Sequence, residues 1–163
     1  MTTDWLRAPI FGEPSADVAG IIRPSAYGIV LDSTRHVAVV RTPLGVFLPG
    51  GGTDATEPPE ATVVRETREE TGLAVRVGAW RRTAVEHGFS VTEQKQFEKR
   101  CTFCDATVLH SVGAPTERDH ALEWVSADDA AKLLTPASHR WAVGEWLAYA
   151  DTSALAGDGQ PAA

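Results

Sequence analysis

β-Branched and apolar residues crowd 25–31 (SAYGIVL) and 36–41 (HVAVVR), with the polar run Asp32-Ser33-Thr34-Arg35 between them, so both stretches read as strands joined by a turn. A short apolar segment at 46–48 then runs into the loop Pro49-Gly50-Gly51-Gly52. Over 58–71 the spacing becomes helical. At about 100° per residue, Val63, Val64, Thr67 and Thr71 fall on one face and are expected to pack on a core. Pro58 and Pro59 suit the first turn, and Glu57 and Glu60 place negative charge at the positive end of the helix dipole. Gly72 stands where a left-handed cap would end the helix. Strand-like stretches follow at 73–77, 80–86, 100–109 and 121–125. Ser126 caps a helix through 134, with Asp128 and Asp129 in its first turn. Pro136 and Ser138 precede a last helix in which Val143, Trp146, Leu147 and Ala150 share a face.

This order of elements predicts an α/β fold, a mixed sheet flanked by helices, over a domain spanning 23–150. Residues 1–22, broken by Pro9, Gly12, Pro14 and Gly20, read as irregular. The small, polar residues of 151–163 read as a disordered tail.

Composition narrows the picture. The chain has 163 residues, 43% of them hydrophobic and 23% charged, which is the balance of one soluble globular domain with a real core. A net charge of −7 without any basic run argues against nucleic-acid binding. No apolar stretch approaches the roughly 20 residues that span a bilayer, and the first residues lack a signal pattern, so a cytoplasmic protein is expected. Cys101 and Cys104 lie three apart on a predicted strand, facing opposite ways, and no second pair completes a zinc site; they read as half-buried thiols. The histidines (His36, His87, His110, His120 and His139) show no ligand spacing. Trp141 falls off the apolar face of the last helix and hints at a buried contact or a homodimer surface.

The helix over 58–71 carries the chemistry. Glu66, Glu69 and Glu70 are spaced i, i+3 and i+4, so their Cβ atoms lie about 5–6 Å apart on one side of the helix. Such carboxylates repel one another unless a cation lies between them, and without one at least one of them should have a raised pKa. Arg65 can pair with Glu69, but it cannot neutralise the whole set. Oxygen-only ligation suits a hard divalent ion, Mg²⁺ or Mn²⁺. The helical placement excludes an EF-hand, whose ligands lie in a loop.

The full run over 51–73 reads Gly-x5-Glu-x7-Arg-Glu-x-x-Glu-Glu-x-Gly-Leu, with Gly51, Glu57, Arg65, Glu66, Glu69, Glu70, Gly72 and Leu73 at its fixed positions. This resembles the Nudix box, the signature of a family of pyrophosphohydrolases. The resemblance implies an α/β/α sandwich with a mixed central sheet. It also implies Mg²⁺-dependent cleavage of a pyrophosphate bond in a nucleoside diphosphate linked to another moiety. Glu66, Glu69, Glu70 and the Gly51 carbonyl would hold the metal, and Glu57 with Arg65 would orient those ligands. Glu69 or Glu66 would serve as the general base, although some members use a loop glutamate, for which Glu98 and Glu117 are the candidates. Arg41, at the end of a strand before the glycine-rich loop, is a candidate for a substrate phosphate, and Phe47 is assigned to the core. One departure is Thr67 at a position usually aliphatic; its methyl can still pack and its hydroxyl can bond back to a helix carbonyl, so a small stability cost and an intact site are expected. A Nudix domain that binds a nucleotide or metabolite as a sensor, without turnover, is the alternative reading.

Overall fold

The computed structural model describes residues 5–15 and 20–157. Its strands are β1 (Ile10–Phe11), β2 (Ile21–Leu31), β3 (Val37–Thr42), β4 (Gly45–Phe47), β5 (Gly50–Gly52), β6 (Leu73–Ser90), β7 (Lys95–Ser111) and β8 (Ala121–Val125), and its helices are α1 (Pro59–Thr71), α2 (Ala127–Leu133) and α3 (Ala137–Gly157). They form one mixed sheet in the order β1-β6-β7-β2-β3-β4, with β5 added on β2 and β8 on β3. β2 runs parallel to β7 and β1 parallel to β6, while the remaining pairs are antiparallel.

Alternating side chains send the strands' apolar residues to both faces of this sheet. On one face Tyr27, Ile29, Val39 and Phe103 pack against Ala130 and Leu134 at the α2 end and against Val143 and Trp146 of α3. On the other, Ala26 and Cys104 meet Val63 of α1. The result is the expected α/β/α sandwich. Burial of the sheet's apolar side chains, each worth about 1.5–3 kcal/mol, is the main force holding the layers together.

Several sequence expectations are revised. The two stretches expected at 73–77 and 80–86 are one strand with a register shift between Val77 and Arg81. The Asp105 carboxylate takes the Trp80 N–H at 3.1 Å there, replacing a ladder bond. Residues before 23 are not wholly irregular: Trp5–Arg7 form a 3-10 turn, β1 pairs with β6, and β2 begins at Ile21. Helix α3 continues past 150 to Gly157, with the Thr152 hydroxyl bonded to the Ala148 carbonyl at 2.9 Å. No proline interrupts the segment, so the helix continues although the side chains of 151–155 are exposed; residues 158–163 lie outside the described residues. Trp141 is half-buried against Phe11 and Phe103, which is the buried contact its position suggested. Cys101 and Cys104 are fully rather than half buried, on opposite faces of β7. Among the described residues, no helix is long and apolar enough to cross a membrane.

Candidate active site

Helix α1 begins at Pro59 after an extended Pro58 and stops at Gly72, whose φ of 72° is the left-handed cap conformation. Its inward face is Val63, Thr67, Glu70 and Thr71, while Val64 stays 40% exposed. Val64 is about 100° around the axis from Val63, and the buried stripe is centred toward Glu70 instead. Val64 lines a broad groove of about 800 Å³ with Val77 and Val112, on the flank of α1 away from Glu70.

The turn into α1 is tied to the helix by Arg65. Its Nε and Nη2 donate to the two Glu57 oxygens, each at 2.9 Å, a two-pronged pairing that fixes both side chains. Nη1 donates to Glu66 Oε1 at 2.6 Å, and Nη2 reaches the Gly52 carbonyl at 3.1 Å. Glu69 lies further from this cation, at 3.7 Å. The Thr62 hydroxyl adds a 2.8 Å bond to Glu57. The Arg65 guanidinium holds the Glu57 carboxyl down at about 2, helped by Thr62 and the Asp54 N–H. Gly51 lies against this arrangement so closely that a Cβ there would stand 2.9 Å from the Glu66 carboxylate. Glycine at that position leaves room for a carboxylate beside the main chain.

Burial acts in the opposite sense on the other carboxylates. It raises the Glu66 pKa above the ordinary carboxylate value even against Arg65. Glu70 is 6% exposed and accepts the Gly50 N–H at 3.1 Å, yet burial and the charges of Glu66, Glu117 and Glu69 push it up to about 8. The raised carboxyl expected for this helix is therefore Glu70 above all.

A loop before β8 closes over the C-terminal turn of α1. The Thr116 N–H and hydroxyl and the Glu117 N–H donate to the Glu69 carbonyl, at 2.8, 3.1 and 3.4 Å. This brings His120 Nδ1 to 3.5 Å from Glu70 Oε2. Glu117, Asp119 and His120 have ligand atoms within 4.8 Å of one another, the one such trio among the described residues. Glu66, Glu69 and Glu70 are more widely spread, each turned toward the partner it already has. Of the two loop candidates, Glu117 is thus drawn to the helix. Glu98 is not: it sits within β7 and pairs with Arg100 at 2.9 Å. Arg41 pairs with Glu123 across β3 and β8, at 2.9 Å.

Thr67 does not make the bond back along the helix that its hydroxyl allows. It is fully buried and its hydroxyl has no hydrogen-bond partner; the bond back along the helix is made by Thr71, to the Thr67 carbonyl. Phe47 is half-buried and meets the His139 ring edge-on. Among the residues missed from sequence are His120 and His139. His139 is buried against Tyr27 and Phe103, its pKa is pushed down to about 3 by that burial, and its Nδ1 accepts the Leu48 N–H at 3.2 Å. Neither histidine carries a local signal, because each finds its partner from a distant element.

Taken as a donor set, Glu66, Glu69, Glu70 and the Gly51 carbonyl offer hard oxygens, one of them buried, which fits a divalent ion of the Mg²⁺ or Mn²⁺ kind. The NUDIX domain model matches residues 21–147. No curated protein matches the chain. Solved structures with the same fold include a NUDIX hydrolase from Nitrosomonas europaea, 14% identical, with a TM-score of 0.59 over 77% of this chain and 88% of that one. A MutT protein from Methanosarcina mazei Go1 is 20% identical, with a TM-score of 0.60 over 83% of this chain and 99% of its own. A C. elegans Ap4A hydrolase binary complex is 15% identical, with a TM-score of 0.64 over 80% and 98% respectively. The fold and the box on α1 define a Nudix domain. The chain belongs to the Nudix family.

Proposed function

We propose that this protein is a divalent-metal-dependent hydrolase that cleaves a pyrophosphate bond in a nucleoside diphosphate linked to another moiety, with residues 23–150 as its catalytic unit. The observation that carries this reading is the connected set on α1: Arg65 joins Glu57 to Glu66, Gly51 makes room for Glu66, and Glu70 is buried between Gly50 and His120.

Glu66, Glu69 and Glu70 hold the metal, with the Gly51 carbonyl beside them. A metal bound there lowers the pKa of a water and offsets phosphate charge. The protein's own contribution is positioning. Arg65 fixes Glu66 and leaves Glu69, its more distant partner, free to take a proton from the attacking water. Glu57 holds Arg65 in place and stays ionised through the whole working range.

The test is product release from a panel of nucleoside triphosphates, ADP-ribose, nucleotide sugars and dinucleoside polyphosphates, with and without Mg²⁺, beside Glu69→Gln. Mg²⁺-dependent cleavage lost in the variant is expected. Tight binding of a panel member without cleavage of any would replace the hydrolase with a sensor.

A further inference from the structure

The buried carboxylate of Glu70 has one oxygen committed and one open. Oε1 accepts the Gly50 N–H at 3.1 Å. Oε2 is left for an ion, and the side-chain atom standing 3.5 Å from it is Nδ1 of His120. The fold delivers that ring from both directions along the chain. On one side, the Thr116 N–H and hydroxyl and the Glu117 N–H fasten the loop to the Glu69 carbonyl, next to Glu70 itself. On the other, β8 starts at Ala121, which is paired with Arg41 of β3.

Three observations say what joins the two atoms. Nδ1 of His120 is buried and makes no hydrogen bond, although buried polar atoms are nearly always bonded. Its 3.5 Å separation from Oε2 is long for a hydrogen bond between them and close to the spacing of two ligands on one ion. Ligand atoms that share an octahedral ion, with bonds of about 2.1 Å, stand about 3 Å apart, so a small movement brings both onto it. On the far side of the ring, Asp119 Oδ1 lies 3.8 Å from Nε2. An imidazole that binds a metal through one nitrogen ordinarily presents its other N–H to a carboxylate or a carbonyl, which fixes the ring and its tautomer.

We propose that His120 is a metal ligand of this site. Nδ1 joins Glu70 Oε2 on the ion, Asp119 steadies the Nε2–H, and the nitrogen biases the site toward Mn²⁺ and the later transition ions over Mg²⁺. The inference rests on the metal placement in the reading above and names the class of metal. Carboxylate and carbonyl oxygens alone suit Mg²⁺, which gains little from an imidazole; transition ions accept that donor readily. A His120 that merely hydrogen-bonded Glu70 would steady the carboxylate for every ion alike. The two roles therefore differ in what they do to the ratio of Mn²⁺ to Mg²⁺ affinity.

Pulsed electron paramagnetic resonance of the whole chain loaded with Mn²⁺ tests this, because a directly bound nitrogen modulates the echo. Displacement of Mn²⁺ by Mg²⁺ in the same samples gives the second affinity. The wild type is expected to show the nitrogen coupling. His120→Ala should abolish it and weaken Mn²⁺ about tenfold or more, while Mg²⁺ changes about twofold or less. His120→Asn places an amide oxygen near the position of Nδ1, so it should hold Mg²⁺ as the wild type does and still lack the coupling. Asp119→Asn should keep the coupling and weaken Mn²⁺ several-fold. No coupling in the wild type, a coupling that survives His120→Ala, or equal weakening of both ions would overturn the inference. A chain that does not bind Mn²⁺ would remove the metal placement and this ligand with it. Nitrogen coupling without turnover of any nucleotide would leave His120 on the metal and remove the hydrolase. Mg²⁺-driven turnover in a chain without the coupling would do the reverse.

Discussion

Three threonines on α1 are buried and their hydroxyls are used differently, which makes Thr67→Val a sharp perturbation. Thr62 donates to Glu57, and Thr71 donates to the Thr67 carbonyl and accepts the Leu73 N–H. The Thr67 hydroxyl is fully buried and bonded to nothing. Valine has nearly the same shape, so the change swaps an unsatisfied hydroxyl for a methyl without opening a cavity. Leaving such a group buried costs about 1–3 kcal/mol, and Thr67→Val should recover a gain of that order. For a domain of this size, about 3 °C of melting temperature accompanies each kcal/mol, giving a rise of roughly 3–9 °C. Circular dichroism melts measure it directly, and urea unfolding should show a higher midpoint with an unchanged slope. Thr71→Val is the control: it removes two hydrogen bonds and should lower the melt by a few degrees, about 1 kcal/mol per bond. A Thr67→Val protein that melts below the wild type would show that the hydroxyl has a partner, and the argument would fail.

Other outcomes follow from the site. In metal-free protein Glu70 has a folded pKa of about 8 against an ordinary 4.5, so the folded state binds the extra proton. Its stabilising contribution is therefore complete below about pH 4.5 and disappears as pH rises through 8, and melts in EDTA should fall on the order of 5–10 °C across that window. Glu70→Gln should flatten the slope; a wild-type melt constant from pH 5 to 9 would contradict the assignment. Gly51→Ala puts a Cβ 2.9 Å from the Glu66 carboxylate and should weaken Mn²⁺ binding, read by electron paramagnetic resonance, by about tenfold or more with little change in melting. Wild-type Mn²⁺ affinity in that variant would mean Glu66 does not face the metal. Arg65→Lys keeps the charge but cannot bridge Glu57 and Glu66, so turnover should drop about 10–100-fold; near-normal turnover would make the bridge dispensable.

Much of this was legible from local pattern. The boundaries of α1 follow from Pro58, Pro59 and Gly72, and Ser126 caps α2 by accepting the Asp129 N–H at 3.1 Å, as its position before two aspartates implies. The opposed faces of Cys101 and Cys104 follow from strand alternation alone. What escaped is decided by residues far apart in the chain. The continuity of β6 through Gly78 depends on Asp105, and the exposure of Val64 on which side of α1 the sheet covers. The approach of His120 to Glu70 depends on a loop anchored to the Glu69 carbonyl. Periodicity reports which way a side chain points, not what stands opposite.

The two thiols on opposite faces of β7 give each layer of the sandwich its own chemical clock. Cys101 is 1% exposed among the residues facing α3, and Cys104 is 0% exposed beneath α1. Burial also pushes their pKa values up to about 12 and about 11, so neither reacts until its own layer opens. Pulsed alkylation followed by mass spectrometry would then time the two openings separately within one molecule. A metal gripped by α1 should slow the second clock and leave the first unchanged.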